Sequence, residues 1–144
     1  MIKPGDIFIY KQYTFEDGSQ KDKWFVVLNG SDNSSNPETA CLVLKTTSNP
    51  KRYGGCVKEC NKNLRCFFAP ATWQTCFTTD TYIQLPEIRE FSNGILFKES
   101  LARKIEFKSP LTSDCLGQLK SCLAGFKDDI SPRHWALIYK AKST

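Results

Sequence analysis

Five consecutive apolar residues, Trp24-Phe25-Val26-Val27-Leu28, stand between Lys23 and the turn-forming Asn29-Gly30-Ser31 and constrain this chain more than any other stretch. The run is short for a helix and rich in aromatic and β-branched side chains, so it predicts a strand buried on both faces of a sheet. Gly5-Asp6-Ile7-Phe8-Ile9-Tyr10 reads as an earlier strand entered through the Pro4-Gly5 turn. Residues 11–22, with Asp17-Gly18-Ser19, read as a polar loop, and Thr39 to Thr46 as the next strand. Strand-like pieces follow at 66–69, 80–85 and 88–91. From Arg103 to Lys108, Ile105 and Phe107 alternate with Lys104, Glu106 and Lys108, the pattern of a half-exposed edge strand.

The period then changes. Leu116, Leu119, Leu123 and Phe126 step by three, four and three, which gathers them on one helical face. Ser109-Pro110 or Ser113 offers a start for that helix, and Ser131-Pro132 starts a second, carrying Trp135, Ile138 and Tyr139. Many short strands followed by a late helix predict a mainly β fold, a small β-barrel with a C-terminal helix packed on it. At 144 residues the chain reads as one domain, 1–144, with a basic, cysteine-bearing insertion at about 49–76 and a helical part at about 110–140.

Composition excludes some chemistry. His134 is the one histidine, so a two-histidine ribonuclease mechanism cannot be built within one chain. A Ser-His-Asp or Cys-His site would rest on that residue, whose neighbours Pro132 to Ile138 read as a helix start. The longest apolar runs are far too short to span a bilayer. Met1-Ile2-Lys3-Pro4-Gly5-Asp6 has no apolar stretch after its lysine, so a cytoplasmic location without a membrane partner is expected.

Seven cysteines, Cys41, Cys56, Cys60, Cys66, Cys76, Cys115 and Cys122, make an odd count that argues for reduced, largely buried thiols. Cys115 and Cys122 lie one heptad apart and suit helix packing. Cys56, Cys60, Cys66 and Cys76 leave three alternatives: free thiols, a disulfide, or a tetrahedral zinc site in an interaction module, although paired C-x2-C knuckles are lacking.

Charge is localised. Residues 45–65 carry Lys45, Lys51, Arg52, Lys58, Lys62 and Arg65 against Glu59, which equals the whole formal net charge of +5. A neutral body with one basic segment is the footprint of polyanion binding. Tyr53, Phe67, Phe68 and Trp73 lie among or beside those cations, as suits unstacked single-stranded bases.

Four stretches together carry a family likeness. Pro4-Gly5-Asp6-Ile7-Phe8 is similar to an opening x-G-D-[IV]-[WYF] strand, and Ser19-Gln20-Lys21-Asp22-Lys23-Trp24-Phe25-Val26-Val27-Leu28 to a loop followed by an R-P-x-[VL]-[VI]-[IL] strand. Cys41-Leu42-Val43-Leu44-Lys45-Thr46-Thr47-Ser48 matches a strand ending in [TV]-T-[ST], and Asp80 to Arg89 stands where a strand and a [DE]-Q-[IVP]-R-[TS] element follow. In this order, over roughly residues 4–95, the chain resembles the PemK/MazF-like toxins of type II toxin–antitoxin systems. These are SH3-like barrels that cleave single-stranded RNA and are neutralised by antitoxins.

The resemblance implies an SH3-like barrel and a metal-independent endoribonuclease that needs no cofactor. It further implies a homodimer, single-stranded RNA as substrate and a cognate antitoxin as partner. It assigns catalysis to Lys23, where the family has arginine, and to Thr46. RNA contacts fall to Lys45, Ser48, Lys51, Arg52, Arg65, Trp24 and Arg89. Lysine keeps the charge but loses the planar fork that grips a phosphate bidentately. Gln84 and Pro86 stand where some members have an arginine and an acid, and Arg89 is expected to pair with Asp6 or Glu87. Those departures support an alternative: a non-catalytic barrel that binds nucleic acid or a protein.

Overall fold

A computed structural model describes residues 2–30, 39–53, 60–72 and 77–139, without the Arg52 side chain. The Trp24–Leu28 run lies at the heart of it. Phe25, Val26, Val27 and Leu28 are fully buried, three of them in β2 (Gln20–Val27). Around β2 stand β1 (Ile7–Thr14), β3 (Ala40–Thr47), β4 (Cys60–Asn61), β5 (Cys66–Ala69), β6 (Thr81–Ser92) and β7 (Ile105–Lys108). They form one antiparallel sheet in the order β4-β5-β6-β3-β2-β1-β7.

Alternation sends neighbouring side chains into two cores. Ile7, Val26, Leu28, Leu42 and Leu44 pack against Leu119 and Leu123 of α3 (Ser113–Ala124), Phe126, and Ile138 of α4 (Pro132–Tyr139). On the other face Phe8, Phe25, Val27, Cys41 and Val43 meet Leu96 of α2 (Asn93–Leu101) and Ile105 of β7. Both faces of the central strands are covered, as the continuous apolar run requires.

The fold is mainly β, but the sheet is open. Among the described residues no ladder joins β4 to β7, so the expected closed barrel is corrected to a bent sheet with two edges. Helices on both faces bury the apolar surface that closure would otherwise have to enclose. Other differences are local. β1 and β2 extend through residues expected to be a loop, because an exposed hairpin needs only backbone pairing and Tyr13 adds a ring contact to Phe25. β6 is one strand rather than two pieces. α2 is unforeseen, since Leu96 is its one buried residue and leaves no 3.6-residue stripe to find. α3 is capped by Thr112, whose Oγ1 accepts from the Cys115 N–H at 3.2 Å, rather than by Ser109 or Ser113. Ser131 does cap α4, accepting from the His134 N–H.

His134 serves packing of that helix. Its Nε2 lies 2.9 Å from Glu90 Oε1 on β6, and Arg133 grips the same carboxylate with both terminal nitrogens. Those partners hold the Glu90 carboxyl below its ordinary range, Arg133 first and His134 second.

The cysteines correct two expectations. Cys60 is bonded to Cys122, tying β4 to α3, and Cys66 is also disulfide-bonded. A cysteine sulfur held in a disulfide cannot ligate zinc as a thiolate. The four-cysteine site therefore does not form; Cys56 and Cys76 lie outside the described residues. Among the described residues no cluster of histidine, cysteine and carboxylate side chains is placed to hold a metal. Cys41 and Cys115 are free and buried, and burial pushes their thiols up to about 12 and about 11 respectively. No described helix is long and apolar enough to cross a membrane.

Asn29 joins β2 to β3 where the strands leave their ladder. Its Nδ2 donates to the Ala40 carbonyl at 3.0 Å and its Oδ1 accepts from the Leu42 N–H at 2.7 Å, all in a buried setting. The side chain thus replaces a residue of strand. Asn29→Ala strands two buried backbone groups, and urea denaturation should show a loss of about 2–4 kcal/mol. A loss under about 0.5 kcal/mol would remove this role from Asn29.

Candidate functional site

β2 and β3 pair only from Phe25–Lys45 to Val27–Val43. Beyond that point β2 continues with β1 alone, while Thr46 and Thr47 run along Ile83 and Tyr82 of β6. The parting has a local cause. Between the pairs Leu44–Ile88 and Thr46–Ile83, β3 uses Lys45 alone where β6 uses Gln84 through Glu87. Pro86 sits in that excess and has no N–H to offer a ladder. β6 bulges there and bends, and the end of β3 follows it away from β2.

The wedge between the parted strands is a cleft of about 640 Å³. Lys21, Asp22, Lys23 and Trp24 border it from β2, Thr46 to Asn49 from the end of β3, and Phe77, Thr78, Thr79 and Thr81 from across the opening. Phe15, Asp17 and Ser19 complete the rim from the β1–β2 hairpin.

Lys23 and Thr46 line this one cleft but leave the sheet on opposite faces. Lys23 shares its face with Phe25 and with Lys45, which pairs with Phe25. Its ammonium lies 5.8 Å from the Phe15 ring centre. Partial burial lowers the Lys23 pKa, and the like charges of Lys45 and then Lys21 lower it further. Thr46 shares the face of Trp24, which packs on Phe77 at 5.7 Å between ring centres. The Thr46 hydroxyl is buried and donates to the Trp24 carbonyl at 3.1 Å, bridging β2 and β3 just where their ladder has ended. Its proton is engaged within the fold.

Other polar groups in the cleft escaped the sequence reading. Thr47 Oγ1 accepts from the Asn49 N–H, which leaves its own hydroxyl proton to donate. Asp22 accepts from the Gln12 N–H at 3.0 Å. Asp17 accepts from both the amide and hydroxyl of Ser19, and those bonds lower its pKa. With Lys21 and Lys23 against Asp17 and Asp22, the lining is balanced in formal charge. Isolated hydroxyls and carboxylates at strand ends have no spacing signature, so only the folded chain brings them together.

The residues expected to contact RNA are divided. Trp24 and Ser48 line the cleft. Lys45 acts on it through its charge. Lys51 lies in α1 (Pro50–Tyr53), one short turn beyond the rim, and its N–H is held by Asn49 Oδ1. Arg65 instead turns to the end of α3, 3.8 Å from Asp129 and over the Phe126 ring. Arg89 pairs with Glu16 at 3.7 Å rather than with Asp6 or Glu87. Gln84 donates to the Tyr53 hydroxyl at 3.2 Å and does not line the cleft. Lys58 and Trp73 lie outside the described residues.

No family model, curated protein or solved structure matches this chain.

Lys23 should lose its proton at lower pH than the exposed lysines, and Lys45→Met should raise its pKa by removing the stronger of the two like-charge repulsions. Side-chain NMR titration of the lysine ε-positions measures both. Co-titration of Lys23 with the exposed lysines, unmoved by Lys45→Met, would contradict the electrostatics described above.

Proposed function

We propose that the cleft takes the sugar–phosphate backbone of single-stranded RNA and that the chain is a metal-independent endoribonuclease of the PemK/MazF-like kind. In this reading the bent sheet is an opened form of the SH3-like barrel, and a cognate antitoxin is its neutralising partner. One observation carries the proposal: an ammonium whose pKa is lowered by burial and by like charges borders a cleft rimmed with hydroxyls.

The reaction requires little of the protein. The substrate 2′-hydroxyl attacks the adjacent phosphorus, the bond to the 5′-oxygen breaks, and a cyclic phosphate and a free 5′-hydroxyl result. Lys23 stabilises charge on the phosphorane and gives its proton to the departing 5′-oxygen, a transfer that a lowered pKa assists. Asp22, held by the Gln12 N–H in the same cleft, accepts the 2′-hydroxyl proton. Thr47 and Ser48 donate to phosphoryl oxygens in the role that the resemblance gives to Thr46, while Lys45, Lys51 and Arg52 steer the strand.

A second reading has its own support. The Thr46 hydroxyl, engaged with the Trp24 carbonyl, favours a site that binds RNA without cutting it. Mixed-sequence single-stranded RNA in EDTA separates the two. The nuclease should yield cyclic-phosphate ends, and Lys23→Ala should slow it by about 10²–10⁴-fold. Saturable, salt-sensitive binding with intact RNA selects the second reading. Neither binding nor cleavage rejects both.

A further inference from the structure

The disulfide that ties β4 to α3 borders a hollow of its own. Cys60 and Cys122 both line an open space of about 890 Å³ between α3 and the β4–β5 edge, which shares no residue with the cleft between β2 and β3. Cys60 is partly exposed, whereas Cys122 is 4% exposed. The wall that α3 presents is low. Ser113, Gly117 and Ser121 recur about one turn apart, and a methyl group on Gly117 would meet nothing within 4 Å. Lys62, two residues from Cys60, lines the hollow as well, and a cation there favours the thiolates that disulfide exchange requires. Asp114, the acid in the lining, stands about two helical turns before Cys122.

The bond also holds more than itself. β4 pairs through two residues, with β5 alone among the described residues. The turn after it is closed by the Leu64 N–H on Asn61 Oδ1 and the Arg65 N–H on the Lys62 carbonyl. The Arg65 carbonyl then accepts from the Leu85 N–H at 2.9 Å, inside the β6 bulge. One chain of contacts thus runs from the bond to the bulge that parts β2 from β3. α3 is anchored separately, by the fully buried Leu119 and Leu123.

We propose that Cys60–Cys122 is a thiol–disulfide exchange site for dithiols, and that its opening releases β4 and the turn supporting the β6 bulge while the fold persists. A thiolate of the dithiol attacks Cys60 Sγ, on the more exposed residue of the pair. The sulfur–sulfur bond breaks and Cys122 leaves as a thiolate. The second thiol of the reductant then attacks the reductant sulfur held in the mixed disulfide, and Cys60 leaves. Two electrons pass to the pair, two protons end on its sulfurs, and the dithiol becomes a disulfide. The proposal stands whatever the cleft between β2 and β3 binds.

Dithiothreitol on the folded full chain, with N-ethylmaleimide trapping and peptide mass spectrometry of Cys60 and Cys122, tests the exchange. Its rate should rise in proportion to dithiothreitol concentration, as direct attack requires, and Gly117→Leu should slow it about tenfold or more by filling the hollow. Circular dichroism melting checks the fold of that variant, and Ser121→Leu, on the same wall, replaces it if it melts early. A rate independent of reductant, or unchanged in the folded blocking variant, would overturn the proposal. Cys60→Ala with Cys122→Ala tests the release without opening the bond at Cys66. Its amide NMR spectrum should stay dispersed, with Asn61 to Arg65 and Leu85 displaced and Leu28 and Leu42 in place. An unfolded spectrum, or a Leu85 resonance that has not moved, would equally reject it.

Discussion

The parting of β2 from β3 beyond Lys45 is the constraint on which the candidate site rests. A continuous ladder would leave no space between Trp24 and Thr46, and the polar ends of both strands would be ordinary sheet. Residues 84–87 prevent it, because β6 has more chain than β3 can match and Pro86 cannot donate. The sheet bends, and three elements that diverge from one point enclose the cleft. Thr46 then supplies a side-chain bridge between strands that no longer share a ladder.

The electrostatics of the cleft follow from the same geometry. Lys23 stays on the aromatic side of the sheet, beside Phe15 and on the face of Lys45, so its ammonium is both desolvated and repelled. Such a lysine gives up its proton more readily than an exposed one. The segment that carries the formal excess charge behaves differently. Of its cations, Arg65 is drawn to Asp129 and Phe126 at the far end of α3, whereas Lys51 stays one short turn beyond the cleft rim. Charge that is contiguous in sequence is therefore dispersed in space, and the cleft holds lysines and aspartates together rather than a purely basic groove.

The disulfide has a comparable part at the opposite end of the sheet. Cys60 and Cys122 are 62 residues apart, and closing a loop of that size removes about 4 kcal/mol of chain entropy from the unfolded state in the simplest model. That is a large share of the stability usual for a domain of this size. It fixes a two-residue strand that has little pairing of its own, and it leaves the packing of α3 on the sheet less dependent on Leu119 and Leu123 alone.

Local pattern by itself determined the central strands, the edge character of β7, and the late helices with Leu119 and Leu123 turned inward; Phe126 is buried as well, although α3 ends at Ala124 before reaching it. Each of these is written in spacing that a strand or helix reads residue by residue. It determined as well that His134 belongs to a helix. Tertiary structure alone decided that the sheet stays open, that Cys60 finds Cys122 rather than its near neighbours in sequence, and that Thr46 gives its hydroxyl proton to the Trp24 carbonyl while Thr47 accepts from the Asn49 N–H. It also decided which cations reach the cleft. Pairing partners far apart in the chain are chosen by the relative placement of whole elements, and a bulge of a few residues in β6 is enough to change that placement; no periodicity in the sequence records it.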